Sequence, residues 1–191
     1  MLIDSTSRDL PAVSVNHVSG GRQAVSHLIE RGHRRILFLA ADQRLQQTRH
    51  RLRGAIEAVA AAGLAPAEVL HVAHLEALDA HGGEAAMAAA LRNLDGPAPT
   101  AVFCINDLVA LGVLRALRDA GLGVPDDVAI VGYDDLYWAG ELSIPLTSVR
   151  QPMRELGWAA ADLLLNPPEE PTNLVFEPEL VVRASSGLAP T

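Results

Sequence analysis

The stretch TAVFCINDLVALGVLRALRDAGLGVPDDVAIVGYDD, residues 100–135, decides the fold. TAVFCI (100–105) is a short run without charge, as expected of a strand buried on both faces in a parallel sheet. Asn106 and Asp107 stand where a helix N-cap belongs, ahead of LVALGVLRALRDAGL. VPDD makes a turn, and VAIVGY (128–133) is a second buried run. Strand, helix and strand in this order specify a parallel α/β unit.

The alternation continues in both directions. Upstream, AVSV (12–15) reads as a strand, and Ser19 precedes a helical pattern with Val25, Leu28 and Ile29 on one face, stopped by Gly32. RILFLA (35–40) is the next strand. From Thr48, Leu52, Ala55, Ile56, Val59 and Ala60 space an amphipathic helix that Gly63 ends. VLHVAH (69–74) is a strand, and residues 80–93 form an Ala-rich helix closed by DGPAP. Downstream, YDDLYWAGELSIPL is an irregular loop and Val149 closes a short extended segment. Gln151–Leu165 is a helix with Met153, Leu156, Ala160, Leu163 and Leu164 on one stripe. NPPEEPTN (166–173) is a turn, and 174–185 is extended, interrupted by Pro178. The whole is an α/β fold, a Rossmann-like parallel sheet flanked by helices.

Composition excludes several functions. The 191 residues, 49% of them hydrophobic, suffice for one sizeable core or two lobes. A net charge of −8 argues against a chain that grips nucleic-acid phosphates by itself. All fifteen basic residues are arginines, so Schiff bases, Walker phosphate loops and lysine-assisted aspartyl phosphates are excluded. Cys104, the single cysteine, sits in an apolar run; it reads as a buried hydrophobe and excludes an internal disulfide or a cysteine zinc site. The seven histidines are scattered and read mostly as solvated; His71 and His74 would point to opposite faces of a strand and share no metal. No G-x-G-x-x-G or G-x-S-x-G occurs, and the tandem Gly20–Gly21 lacks the dinucleotide spacing. No catalytic residue, metal or cofactor is expected. No run approaches a membrane span, and MLIDSTSRDL lacks the features of a signal peptide, so the expected location is cytoplasmic. Met1 opens directly into Leu2 and Ile3, as though a strand had been cut into.

Ligands of parallel sheets sit beyond the carboxyl ends of the strands. Asn106 and Asp107 follow TAVFCI, Asp134 and Asp135 follow VAIVGY, Arg49 and Arg51 lie after RILFLA, and Asp4 follows MLI. Carboxylates, an amide and guanidinium groups on one rim hydrogen-bond vicinal hydroxyls in pairs, which suits sugars and nucleosides. Helix capping is an equal alternative for Asn106 and Asp107, and a weaker one for Asp134 and Asp135, because no clear helix follows them.

Together with SGGRQAVSHLIERGHRRILFLA (19–40), TRHRLRGAIEAVAAAGL (48–64) and PLTSVRQPMRELGWAAADLLL (145–165), the opening stretch resembles the effector-binding domain of the LacI/GalR family of bacterial transcription regulators. The resemblance covers essentially the whole chain. It implies the type I periplasmic-binding-protein fold, two α/β lobes joined by three crossing strands, with a small ligand in the cleft. It implies ligand contacts from Arg51, Asn106 and Asp134, an acidic contact from Asp4 on the other lobe, and Gln151 lining the cleft where the chain crosses back. A large aromatic commonly stacks on the ligand from the segment after the third strand; here HVAHLEALDA offers His74 and Leu75 instead.

By that pattern 16–149 is a nearly complete second lobe, 1–15 and 150–177 are remnants of the first lobe and crossover strands, and 178–191 is a C-terminal strand and tail. The first lobe is then incomplete and the helix-turn-helix headpiece absent. The expected function is effector binding and dimerisation in a LacI-type regulator. The effector is expected to be a carbohydrate or nucleoside-like, and operator DNA would be reached only through a headpiece outside this chain. A homodimer is also expected from the helix 107–120, which is apolar nearly all the way round and needs a second cover; the alternative is a helix sandwiched inside one chain. No membrane partner is expected. The alternative is a sugar-binding protein of a transport system with its export signal missing.

Overall fold

The computed structural model describes residues 1–4, 9–92 and 97–187. In chain order the elements are β1 (Leu2–Ile3), β2 (Ala12–Val15), α1 (His17–Glu30), β3 (Ile36–Ala40), α2 (Gln46–Ala61), α3 (Pro66–Val69), β4 (Leu70–His74) and α4 (Ala80–Arg92). There follow β5 (Ala101–Cys104), α5 (Asp107–Asp119), β6 (Ala129–Asp134), β7 (Thr147–Arg150), α6 (Met153–Leu165), β8 (Asn173–Phe176) and β9 (Glu179–Val181).

The strands form two sheets. The larger runs β4-β3-β5-β6-β7-β9, parallel throughout except that β9 pairs antiparallel with β7. Its centre is β3 against β5, in the register Phe38 opposite Phe103, with the two rings stacked 4.7 Å apart. From that centre the chain moves outward to β4 through α2 and, in the opposite direction, to β6 through α5. Right-handed crossovers in opposite directions put α2 and α5 on opposite faces. The smaller sheet, β1-β2-β8, is parallel, and α6 packs on β2 through Val13, Val15, Leu156 and Ala160.

Four glycines set how closely the helices approach. A Cβ on Gly21 would strike the Arg51 carbonyl, and one on Gly54 the Val18 carbonyl, where α1 crosses α2. Gly83 and Gly112 repeat the arrangement between α4 and α5, against the carbonyls of Val109 and Ala80. Each pair therefore touches backbone to backbone at two points.

The α/β reading holds, with corrections in detail. The first helix starts at His17, not after Ser19; the Asn16 side chain caps it by accepting from the Ser19 N–H at 3.1 Å. The buried face of α2 runs through Thr48, Arg51, Ala55, Ala58 and Val59, and Ile56 is exposed, because Gly54 turns that side onto α1. Only Leu156 and Ala160 of the α6 stripe are buried; Met153 and Leu164 stay exposed. Three of the seven histidines are buried, not solvated: His17, His27 and His33. His27 bonds Ser186 Oγ, and His33 bonds both Thr100 Oγ1 and the Gly187 carbonyl, which satisfies rings that are costly to bury unpaired. Cys104 is buried, as expected. The last residue of the helix read at 80–93, the Asp95–Gly96 start of its closing turn, and residues 5–8 and 188–191 lie outside the described residues.

Candidate functional site

Among the described residues, three without a glycine's freedom have positive φ: Asp4 (53°), Asp134 (103°) and Asp135 (51°). All are carboxylates at the carboxyl end of a strand, Asp4 after β1, Asp134 and Asp135 at the end of β6. Such backbone costs of order 1–3 kcal/mol per residue and persists where the surroundings over-determine it, as at binding sites.

Arg51, on the first turns of α2, is buried. Its guanidinium carbon lies 3.5 Å from the centre of the Tyr133 ring, its Nη1 donates to the Ile105 carbonyl, and its Nε donates to His17 Nδ1 at 3.4 Å. The ring stack fixes the guanidinium plane. His17 Nε2 lies 2.8 Å from Asp4 Oδ1, and Gln47 Nε2 donates to Asp4 Oδ2 at 3.0 Å. Burial pushes the Asp4 carboxyl up, but the hydrogen bonds from His17, Gln47 and the Val15 N–H outweigh it and hold it at about 2.

Next along β6, Asp134 accepts from Gln151 Nε2 at 2.6 Å. Burial raises its pKa, against the pull of Arg51 and Gln151. Asp135 faces elsewhere: it accepts from Arg150 at 2.7 Å and Arg183 at 2.6 Å, and those two arginines overcome burial to lower its pKa. Asp107 is fully buried under the β6–β7 loop, accepting from Ser148 Oγ at 2.6 Å and from the Leu136 N–H at 2.8 Å. Burial dominates there, lifting it to about 7.

The structure thus brings Asp4, Arg51, Asp134 and Gln151 to one seam between the two sheets. Asn106 adjoins them, one residue after the carbonyl that Arg51 holds. Its side chain also performs the capping role: Oδ1 accepts from the Val109 N–H at 2.8 Å and Nδ2 donates to the Leu78 carbonyl at 3.1 Å. Arg49 turns away and donates to the carbonyls of Gln43 and Arg44. Asp134 and Gln151 line a cavity of about 620 Å³, and Asp4 lines one of about 200 Å³ with His50 and Arg53; His74 and Leu75 line a third, of about 350 Å³, with Asp42 and Gln43. Arg51 and Asn106 are not among the lining residues of these three. His17, Tyr133 and Gln47 carry the network and were not singled out from sequence. Tyr133 was visible as the last residue of VAIVGY, but its partners come from α1 and α2, which no spacing along the chain reveals.

Chemically, the seam offers acceptors from two carboxylates and donors from a guanidinium and an amide, a set suited to hydroxyl groups. Among the described residues no group of three or more His, Cys, Asp or Glu could hold a metal ion, and no helix is long and apolar enough to cross a membrane.

Residues 25–186 match the family model of the periplasmic binding protein-like domain. The HTH-type transcriptional regulator CelR of Thermobifida fusca is 42% identical over 179 residues, covering 91% of this chain and 51% of that protein. The chain spans about half the length of the curated relatives it matches. A LacI transcriptional regulator from a Rhodococcus species superposes with a TM-score of 0.86 at 32% identity, covering 100% of this chain and 70% of the other. A CelR–cellobiose complex gives 0.80 at 38% identity, covering 94% and 55%. A LacI family regulator from Enterococcus faecium with bound ribose gives 0.87 at 27% identity, covering 97% and 69%.

Proposed function

Since the chain belongs to the LacI family of regulators, within the periplasmic binding protein-like domain family, we propose that it is the effector-binding and dimerisation part of a transcriptional regulator and transforms nothing. The effector is a small hydroxyl-rich molecule, a sugar or related metabolite, held at the seam by Arg51, Asn106, Asp134, Asp4 and Gln151. The observation that carries this reading is that two strained strand-end carboxylates, Asp4 through His17 and Asp134 through its electrostatic pull, are tied to one stacked arginine. The sugars bound by similar regulators support it, and so does the regulatory naming of the relatives, which favours a regulator over a transport protein. In this reading operator DNA is contacted by a separate headpiece and the regulator works in the cytoplasm as a homodimer.

Calorimetric titration with ribose and with cellobiose tests the site. Arg51→Ala removes charge-assisted hydrogen bonds worth about 1.5–3 kcal/mol each, so affinity for whichever sugar binds should fall about tenfold to hundredfold. An unchanged dissociation constant in a folded Arg51→Ala protein would remove Arg51 from the site.

A further inference from the structure

We propose that His17 is a positioning residue of this site: its imidazole holds the Arg51 guanidinium and the Asp4 carboxylate as one hydrogen-bonded unit across the seam between the sheets. The proposal rests on reading Arg51 and Asp4 as effector contacts.

His17 opens α1, and its side chain is only 3% exposed. One ring nitrogen, Nε2, meets Asp4 Oδ1 at 2.8 Å; the other, Nδ1, meets Tyr133 Oη at 3.0 Å and Arg51 Nε at 3.4 Å. Arg51 Nε always carries its hydrogen, so Nδ1 must be the acceptor. The imidazole is therefore neutral, with its proton on Nε2 and directed to Asp4. The Tyr133 hydroxyl, pushed up to about 12 by burial, keeps its proton and lies 3.0 Å from the same nitrogen. Its ring meanwhile lies under the Arg51 guanidinium. One side chain thus fixes a carboxylate from the small sheet and an arginine from the large one.

The tandem glycines of α1 find their use here. A Cβ on Gly20 would collide with the Tyr133 hydroxyl, and one on Gly21 with the Arg51 backbone. Gly20 admits the tyrosine and Gly21 admits the arginine's own helix. The pair that lacks dinucleotide spacing is instead the clearance that lets His17, Tyr133 and Arg51 meet.

Protonation would break the unit. A second N–H on the ring would face the Arg51 N–H, donor against donor and charge against charge. The ionisable groups facing His17 are Asp4 from β1, Arg51 and His50 from α2, and Tyr133 and Asp134 from β6. Asp4 stays ionised and Tyr133 neutral throughout the histidine range.

Two measurements on the 191-residue chain decide. Side-chain nitrogen NMR of the free protein should find His17 with a bare Nδ1 at neutral pH, and Arg51 Nε–H protected from exchange; a protonated Nδ1 there overturns the proposal. Titrations with ribose and cellobiose at neutral pH should show His17→Gln, which keeps a donor for Asp4, weakened about tenfold. Sugar binding with the wild-type affinity in His17→Gln overturns the role of His17 alone. Should that variant fail to fold, Tyr133→Phe keeps the ring and loses the hydroxyl. It should bind several-fold more weakly and expose Arg51 Nε–H to faster exchange, and wild-type values for both overturn the proposal. Binding of neither sugar by the wild-type chain overturns the effector-site reading itself, and with it any role for His17 there.

Discussion

The two sheets are built from similar apolar patterns and end up covered very differently. The six-stranded sheet has β3, β5 and β6 buried along nearly their whole length, with helix pairs on both faces. In the three-stranded sheet the buried apolar cluster is Val13, Val15, Leu156 and Ala160, while α6 leaves Trp158 at 70% and Leu165 at 77% exposure. An apolar stripe states which side of a helix could be buried; whether it is buried depends on a partner that the stripe does not encode. The candidate site straddles this contrast, with Asp4 on the thinly covered side and Arg51, Asn106 and Asp134 on the well-packed one.

The largest expected effect is on stability. Phe103→Ala empties the centre of the large core and should cost about 3–5 kcal/mol in denaturant unfolding. Leu156→Ala removes a side chain from a cluster open on one side and should cost about 2 kcal/mol or less, the low end for such truncations. Equal costs would mean that the small sheet is packed as well as the large one.

Association comes next. The outer face of α5 leaves Leu108 40% exposed and Leu111 and Leu114 half-buried. If this face pairs two copies, light scattering on Leu111→Glu should give half the wild-type mass with the fold intact. An insoluble protein would assign Leu111 to the core, and an unchanged mass would move the interface elsewhere.

The last effect is in pH dependence, where the two regions have opposite signs. Asp107, beside the large sheet, has its folded pKa raised by burial from 3.8 to about 7. The native state then binds this proton more tightly than the unfolded chain, so its contribution improves as pH falls from about 7 towards 4. Asp4, at the seam, has its folded pKa lowered to about 2, so its stabilisation is present above about 4 and is lost as pH falls towards 2. Unfolding across these windows should show Asp107→Asn flattening the upper slope and Asp4→Asn the lower one. Slopes that do not change would contradict the burial of Asp107 and the bonding of Asp4.

The fold was legible where period and punctuation agree. TAVFCI, VAIVGY and RILFLA gave strands within a residue or two of β5, β6 and β3, and Gly32 and Gly63 marked helix ends with φ of 91° and 73°. It was less legible where tertiary contact rotates an element, as Gly54 does to α2, or where a buried polar side chain finds a distant partner, as His27 and His33 do. Strand ends nominated Asp4, Arg49, Arg51, Asn106, Asp107, Asp134 and Asp135, because the rule for parallel sheets needs only topology, and the family resemblance narrowed them to Asp4, Arg51, Asn106 and Asp134. His17 escaped, since a histidine at a helix start signals nothing until β1, α2 and β6 converge on it.

Hydrogen exchange with and without saturating sugar tests the central claim, that the effector binds at the seam and ties the thinly covered sheet to the well-packed one. The account predicts added protection in residues 2–4, 12–18, 46–53 and 133–136, with little change in β3 and β5, which are already closed. Protection confined to α4 and α5, or no change at a sugar concentration that saturates calorimetric binding, would contradict it.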